Sequence, residues 1–233
     1  MLSYQQIFAG TTRREGVFWA LCLAAMVAFI YPADERVWHA WFSAGNDIAG
    51  EQLNGYLYHH VAVLVCFTVP LLLLKPFGIA DYGLRLFAPG DWRWGLRWTL
   101  IACVALILPT WISSHDPQFQ AEYPLAPVAM ESLPLFLLFA GSYLLYYIGW
   151  ESFFRGFIGF GMLGLGYRPF LAMMVQVALS CIIHIGKPEM ELIGAIPGGI
   201  IMGVLAYRSG SLLWPLLFHF YLGLLNTWFC WIN

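Results

Sequence analysis

Seven long apolar runs make up most of this chain, and they leave it few ways to fold. The runs are Val17 to Tyr31, Tyr56 to Leu74, Leu96 to Ile112, a stretch from Leu133 that stays apolar past Trp150, Pro169 to Ile185, Met190 to Tyr207, and Leu212 to Ile232. A helix needs roughly 20 apolar residues to cross the hydrocarbon core. No strand-like alternation is present, and an open sheet could not satisfy its backbone in lipid. The expected fold is an all-α, polytopic membrane helix bundle of seven transmembrane helices, or eight if Val37 to Ile48 also spans. That stretch mixes Trp38, Trp41 and Phe42 with Arg36, His39 and Asp47, which fits an interfacial amphipathic helix better than a span.

Composition enters as an exclusion. Only 10% of the residues are charged, against about 25% in soluble domains. Eleven Lys and Arg against thirteen Asp and Glu give a net charge of −2, so no field attracts nucleic acid. An ordinary cytosolic enzyme and a disordered tail are excluded as well. Cys22, Cys66, Cys103, Cys181 and Cys230 all lie in apolar runs without a CxxC pair, and read as small core hydrophobes. No cleavable signal peptide is expected, because Gln5 and Gln6 lead to Arg13 and Arg14 and the run after them is long enough to span.

Basic residues set the orientation. With seven spans, Arg13, Arg14, Lys75, Arg85, Arg93, Arg97, Arg168 and Arg208 fall on one side, and Arg36 and Lys187 on the other. The positive-inside bias places the N-terminus in the cytoplasm and the C-terminus outside. A soft boundary falls near residue 130, after the polar stretch with Pro117, Pro124 and Pro127. Residues 1–130 are expected to form N-terminal transmembrane helices and loops, and 131–233 an intramembrane core. Beyond the boundary, Glu151, Arg155, His184, Glu189, Glu191, His219 and Asn226 lie in or beside apolar runs. Ionisable groups are costly there and point to function.

Glu151 and Arg155 stand i, i+4 in WESFFRGF, on one helix face. A buried ion pair that fixes packing explains that pair alone. The hairpin arithmetic adds to it. Glu151 and His184 are equidistant from a turn at Tyr167–Arg168, each about 25 Å along its helix. From the next turn, at Arg208–Ser211, Asn226 lies about 25 Å, Glu191 about 28 Å and His219 only about 14 Å. Four polar groups are thus expected at one level, nearer the outer face, with His219 deeper. A Glu and a His in a low-dielectric cavity can activate water, and a second His with an Asn can stabilise an oxyanion. Tyr147, one turn before Glu151, is within reach of it. Gly194–Gly198 and Gly199–Gly203 are small-xxx-small pairs that allow close helix packing, and Pro197 suggests a kink.

These residues resemble a family. Glu151-Ser-Phe-Phe-Arg155-Gly156-Phe157, then His184, then His219, is similar to the CAAX protease and bacteriocin-processing family of intramembrane endopeptidases, over about residues 131–233. The family pattern is Glu-Glu-x-x-x-Arg, Phe-x-x-x-His and His-x-x-x-Asn. This chain departs from it in three places: Trp150 replaces the first Glu, Ser180 the Phe, and Gly223 the Asn, with Asn226 three residues further on. The resemblance implies an intramembrane protease that hydrolyses a peptide bond of a membrane-anchored protein or peptide, such as a C-terminal sorting or anchor segment. It also implies the multi-pass setting of bacterial members, the cell (inner) membrane, with lipid and no nucleic acid as partners. The implied catalytic set is Glu151 with His184 as the water-activating base, Arg155 orienting Glu151, and His219 with Asn226 stabilising the oxyanion; Glu191, at a similar depth and seven residues after His184, is the other candidate base. No cofactor is implied. Two His and two Glu could hold Zn²⁺ with an open position, but no His-Glu-x-x-His spacing exists. Trp150 keeps open a rival reading, a catalytically inactive member acting as a membrane-embedded binding or immunity protein; a proton-relaying transporter is a third.

Overall fold

The computed structural model describes residues 10–43, 48–74 and 87–233. Gln5, Gln6, Asp47, Lys75 and Arg85 lie outside the described residues, as does the 44–47 part of the Val37 to Ile48 stretch. Among the described residues every regular element is helical. In order they are α1 (Arg13–Ile30), α2 (Glu35–Trp41), α3 (Ile48–Leu74), α4 (Trp92–Ser113), α5 (Pro117–Glu122), α6 (Leu133–Gly164), α7 (Pro169–Ile183), α8 (Glu189–Ser209) and α9 (Leu213–Ile232). Five of them, α3, α4, α6, α8 and α9, are long and apolar enough to cross a membrane. A sixth span results if α1 and α2, bent by 58° at their junction, count as one. Helix α7 is apolar and 15 residues long. The chain is therefore a multi-pass helical membrane protein with five to six candidate spans among the described residues.

Local chemistry sets the helix ends. Thr12 and Glu15 form a reciprocal capping box at the start of α1. Ser132 caps α6, and Pro134 stands in its first turn, where a missing N–H costs nothing. Gly210 ends α8 at φ 66°, a left-handed conformation that glycine adopts without Cβ strain. The core is built on α6. Helix α3 packs along it, close enough that a Cβ on Gly149 would stand 2.8 Å from the Leu64 backbone. Helices α7 and α9 also pack on α6. Of the four glycines in the α8 pairs, Gly199 and Gly203 face Val177 and Met173 of α7, whereas Gly194 has open space around it. Helix α8 continues through Pro197.

From Ser152 to Phe160 helix α6 widens into a π-helical stretch that begins just after Glu151. Such wide turns concentrate at functional positions. The stretch carries Gly156 and Gly159, and the Tyr207 hydroxyl would lie 3.0 Å from a Cβ at Gly159. The α8 end thus packs directly against this part of α6.

Candidate active site

Two carboxylate–histidine pairs form at the inner wall of the bundle. In the first, Glu151 and Arg155 are fully buried, and Arg155 Nη1 donates to Glu151 Oε1 at 3.2 Å. The same Oε1 lies 2.7 Å from His219 Nδ1 on α9. A carboxylate oxygen facing a ring nitrogen at this distance fixes the proton on Nδ1, so Nε2 is the free ring atom. The expectation that His219 lies deeper than Glu151 is corrected by this contact. It assumed that both hairpin turns reach one level. Instead Tyr207, at the end of α8, packs on Phe160 with ring centroids 5.2 Å apart. The α8–α9 turn therefore stops short of the α6–α7 turn, and His219 comes level with Glu151.

The second pair sits on the cavity side. His184 is the C-terminal cap of α7, and its Nδ1 lies 2.7 Å from the Ser180 carbonyl, four residues back. That carbonyl can only accept, so Nδ1 carries the proton and Nε2 the lone pair. Nε2 faces Glu191 Oε1 of α8 at 3.9 Å. The other Glu191 oxygen accepts from the Tyr123 hydroxyl at 3.2 Å. Tyr123 lies between α5 and α6, outside the spans. Burial and the nearby Glu191 charge push its phenol well above the usual value, so it stays a donor. Lys187 and Glu122 form an ion pair at the rim, and the Glu189 backbone N–H donates to Gln118 at 3.0 Å. Residues 114–131 are thereby strapped over the head of α8.

A cavity of about 750 Å³ opens beside this pair. Its wall includes His184, Glu191, His219, Tyr147 and Trp150 from the core, and Asp34, Glu35, His59, His60 and Tyr123 from the N-terminal part. Glu151, Arg155 and Asn226 are not in the wall. Trp150 is. Its indole meets the His184 ring edge-to-face at 5.6 Å and the His219 ring at 6.0 Å. The rotation of α6 thus turns residue 150 to the cavity and residue 151 toward α9. Tyr147 packs its ring on His219 at 4.4 Å, and its hydroxyl occupies the space a side chain at Gly223 would need. Asn226 is buried on α9, about 10 Å along the helix from His219.

Residues 132–225 match the family model described as type II CAAX prenyl endopeptidase Rce1-like. Over that stretch the chain is similar to the CAAX protease family. No curated protein and no solved structure matches it. The matched core supplies both histidine pairs: Glu151, Arg155, His184, Glu191 and His219 all fall inside it. Sequence reasoning missed the partners this matched stretch meets from outside it, namely His59, His60 and Tyr123. The two histidines carried a usable signal, since both interrupt the apolar run of α3. Tyr123 carried none, because nothing in a proline-bearing loop says where it folds back. Among the described residues no three His, Cys, Asp or Glu side chains converge as a metal ion requires.

Proposed function

We propose that the protein is an intramembrane endopeptidase that cleaves a membrane-anchored protein or peptide, with Glu191 as the base. The observation that carries this is the facing of Glu191 Oε1 and His184 Nε2 at 3.9 Å on the cavity wall. That gap suits one water held between two acceptors. Its oxygen attacks the substrate carbonyl carbon while Glu191 takes its proton. A solvent proton taken up at His219 Nε2 before the attack lets that N–H donate to the oxyanion, and Glu151 behind it stabilises the imidazolium. The C–N bond then breaks as the oxyanion collapses, and the proton passes to the leaving amine. Arg155 holds Glu151 in place. Asn226, outside the cavity wall, supports the α9 packing instead of the oxyanion.

Residues 131–233 are the catalytic unit in this reading, and 1–130 supply the far wall of the cavity. Helix α1 with its bent continuation, and the short α7, complete seven crossings with the N-terminus in the cytoplasm of a bacterial cell. The cavity then opens toward the outer face, which suits a translocated C-terminal sorting or anchor segment. No cofactor takes part.

Trp150 at the family's first-Glu position favours one rival, an inactive member that binds a peptide without cutting it. Mass spectrometry of new C-termini in cells separates the two. Cells carrying wild type should show products absent with Glu191→Gln or His184→Ala at equal expression. Identical termini in all strains would leave the binding reading.

A further inference from the structure

Six charged side chains line the cavity: Asp34, Glu35, Arg36, Glu122, Lys187 and Glu191. Five of them are engaged. Arg36 grips Asp34 through hydrogen bonds at 2.7 and 2.8 Å, and Lys187 pairs with Glu122. Glu191 accepts from Tyr123 and faces His184. The Glu35 carboxylate has no hydrogen-bond or ion-pair partner among the described residues. It stands in the first turn of α2, but Asp34 already caps that end through the Arg36 N–H at 2.9 Å.

A second acceptor stands beside it. His59 Nδ1 lies 2.6 Å from the Ala33 carbonyl, which can only accept. Nδ1 thus carries the proton of the neutral ring and Nε2 the lone pair. No described residue donates to that Nε2. Unlike the sealed ring nitrogens of His60 and Trp150, His59 Nε2 and the Glu35 oxygens keep accessible surface, and both residues are half-buried in the cavity wall. Helix α3 sets their separation. A Cβ on Gly55 would stand 3.4 Å from the Glu35 Cβ. Gly55 and His59 are i, i+4, on one face and about 6 Å apart. Glu35 is also the charged group that acts most strongly on Tyr56 and His59, so its carboxylate leans toward these two wall residues.

We propose that Glu35 and His59 form a specificity subsite for a lysine or arginine side chain of the substrate. An ammonium or guanidinium between the two acceptors, about 2.9 Å from each, fits a gap of one helical turn. Glu35 takes the charge and His59 Nε2 accepts one N–H. The rings of Phe29 and Tyr146, 5.8 and 5.5 Å from the His59 ring, flank the alkyl stem and favour a cation. Ring contacts of 5.5, 5.5 and 5.6 Å lead from His59 through Tyr146 and Trp150 to His184. The subsite therefore lies within about five residues of extended chain from His184. The inference rests on reading the cavity as a peptide site, and it narrows the substrate to a segment with a basic residue close to the cut bond.

The test measures peptide affinity for the full chain in lipid nanodiscs, within the time in which the probes stay intact. The probes are N-acetyl-Leu-Leu-Lys-Leu-Leu-amide, its analogues with norleucine or glutamate in place of lysine, and n-butylammonium. The lysine peptide should bind about twentyfold more tightly than the norleucine peptide, as for hydrogen bonds to a charged group. Glu35→Gln should cut that ratio below about threefold, and His59→Phe should leave about fivefold. Glu35→Lys should prefer the glutamate peptide, a reversal that an unfolded protein cannot give. The ratio should survive about 0.5 M salt, where the Debye length is about 4 Å, because a half-buried contact is screened little. Equal affinities for the lysine and norleucine peptides, a ratio unchanged in Glu35→Gln, or no binding to folded protein would overturn the proposal. So would loss of the ratio in salt, which marks a diffuse field, or butylammonium binding as tightly as the lysine peptide, which marks a site for small amines. Cleavage in cells without the lysine preference removes the subsite alone. The preference without cleavage keeps the subsite and removes the protease reading.

Discussion

Glu151, buried, and Glu191, half-buried, are both carboxylates near a histidine, yet their surroundings assign them different work. Glu151 shares one oxygen between Arg155 and His219 and does not border the cavity. Removing its charge strands Arg155, whose Nε and Nη2 already lack partners among the described residues. Glu151→Gln should therefore cost about 3–5 kcal/mol of stability, read as thermal unfolding in detergent. Glu151→Gln combined with Arg155→Met should recover most of that loss. Glu191→Gln leaves a neutral group on Tyr123 and should change stability by less than about 1 kcal/mol while abolishing cleavage. A Glu191→Gln variant that cuts normally would end the assignment of the base. At Gly223, where Tyr147 fills the space of a side chain, Gly223→Ala should cost about 1–3 kcal/mol through overpacking. The sequence made the Glu151–Arg155 contact legible through its i, i+4 spacing. It could not show which of residues 150 and 151 faces the cavity, because consecutive helical residues differ by about 100° and packing alone sets that rotation.

At the scale of elements, most long helices were legible to within about four residues, but α3 starts at Ile48, eight residues before the expected Tyr56, the short α5 was not foreseen, and the relative depth of the helices was not legible. Apolar run lengths give each helix, and Gly210 marks a turn, but nothing in either hairpin states how far its turn protrudes. Tyr207 against Phe160 settles that, and with it the pairing of His219 to Glu151. The strap from 114 to 131 was invisible for a related reason. It forms no long periodic element, and its value lies in distant partners: Gln52 to the Leu125 carbonyl at 3.0 Å, Lys187 to Glu122, and Tyr123 to Glu191. The strap acts on the site through that last bond. Tyr123→Phe should lower kcat by about five- to tenfold with KM unchanged. A deficit confined to KM would make Tyr123 a substrate contact and not a support for Glu191.

On the scale of the whole molecule, contacts sort the loops into two ends without reference to charge. At one end Tyr167 donates to Glu15 at 3.2 Å, the Asp91 backbone N–H donates to the Ser209 carbonyl at 2.9 Å, and the Arg208 guanidinium lies over Trp94 at 5.6 Å. At the other end Asn233 donates to Ser114 at 2.7 Å, Lys187 meets Glu122, and the cavity rim carries Asp34 and Glu35. The first group holds the loops that the charge bias places in the cytoplasm, and the second holds those it places outside. The two criteria are independent, one resting on lysine and arginine counts and the other on packing, so their agreement supports a cavity open to the outer face. Single cysteines in a background without the five native ones test the direction. Glu35→Cys, Glu122→Cys and Lys187→Cys should react with a membrane-impermeant maleimide added outside the cytoplasmic membrane. Arg13→Cys, Arg93→Cys and Arg208→Cys should react only after that membrane is opened. The reverse pattern would turn the cavity to the cytoplasm, and the substrate would then be a segment that never left it.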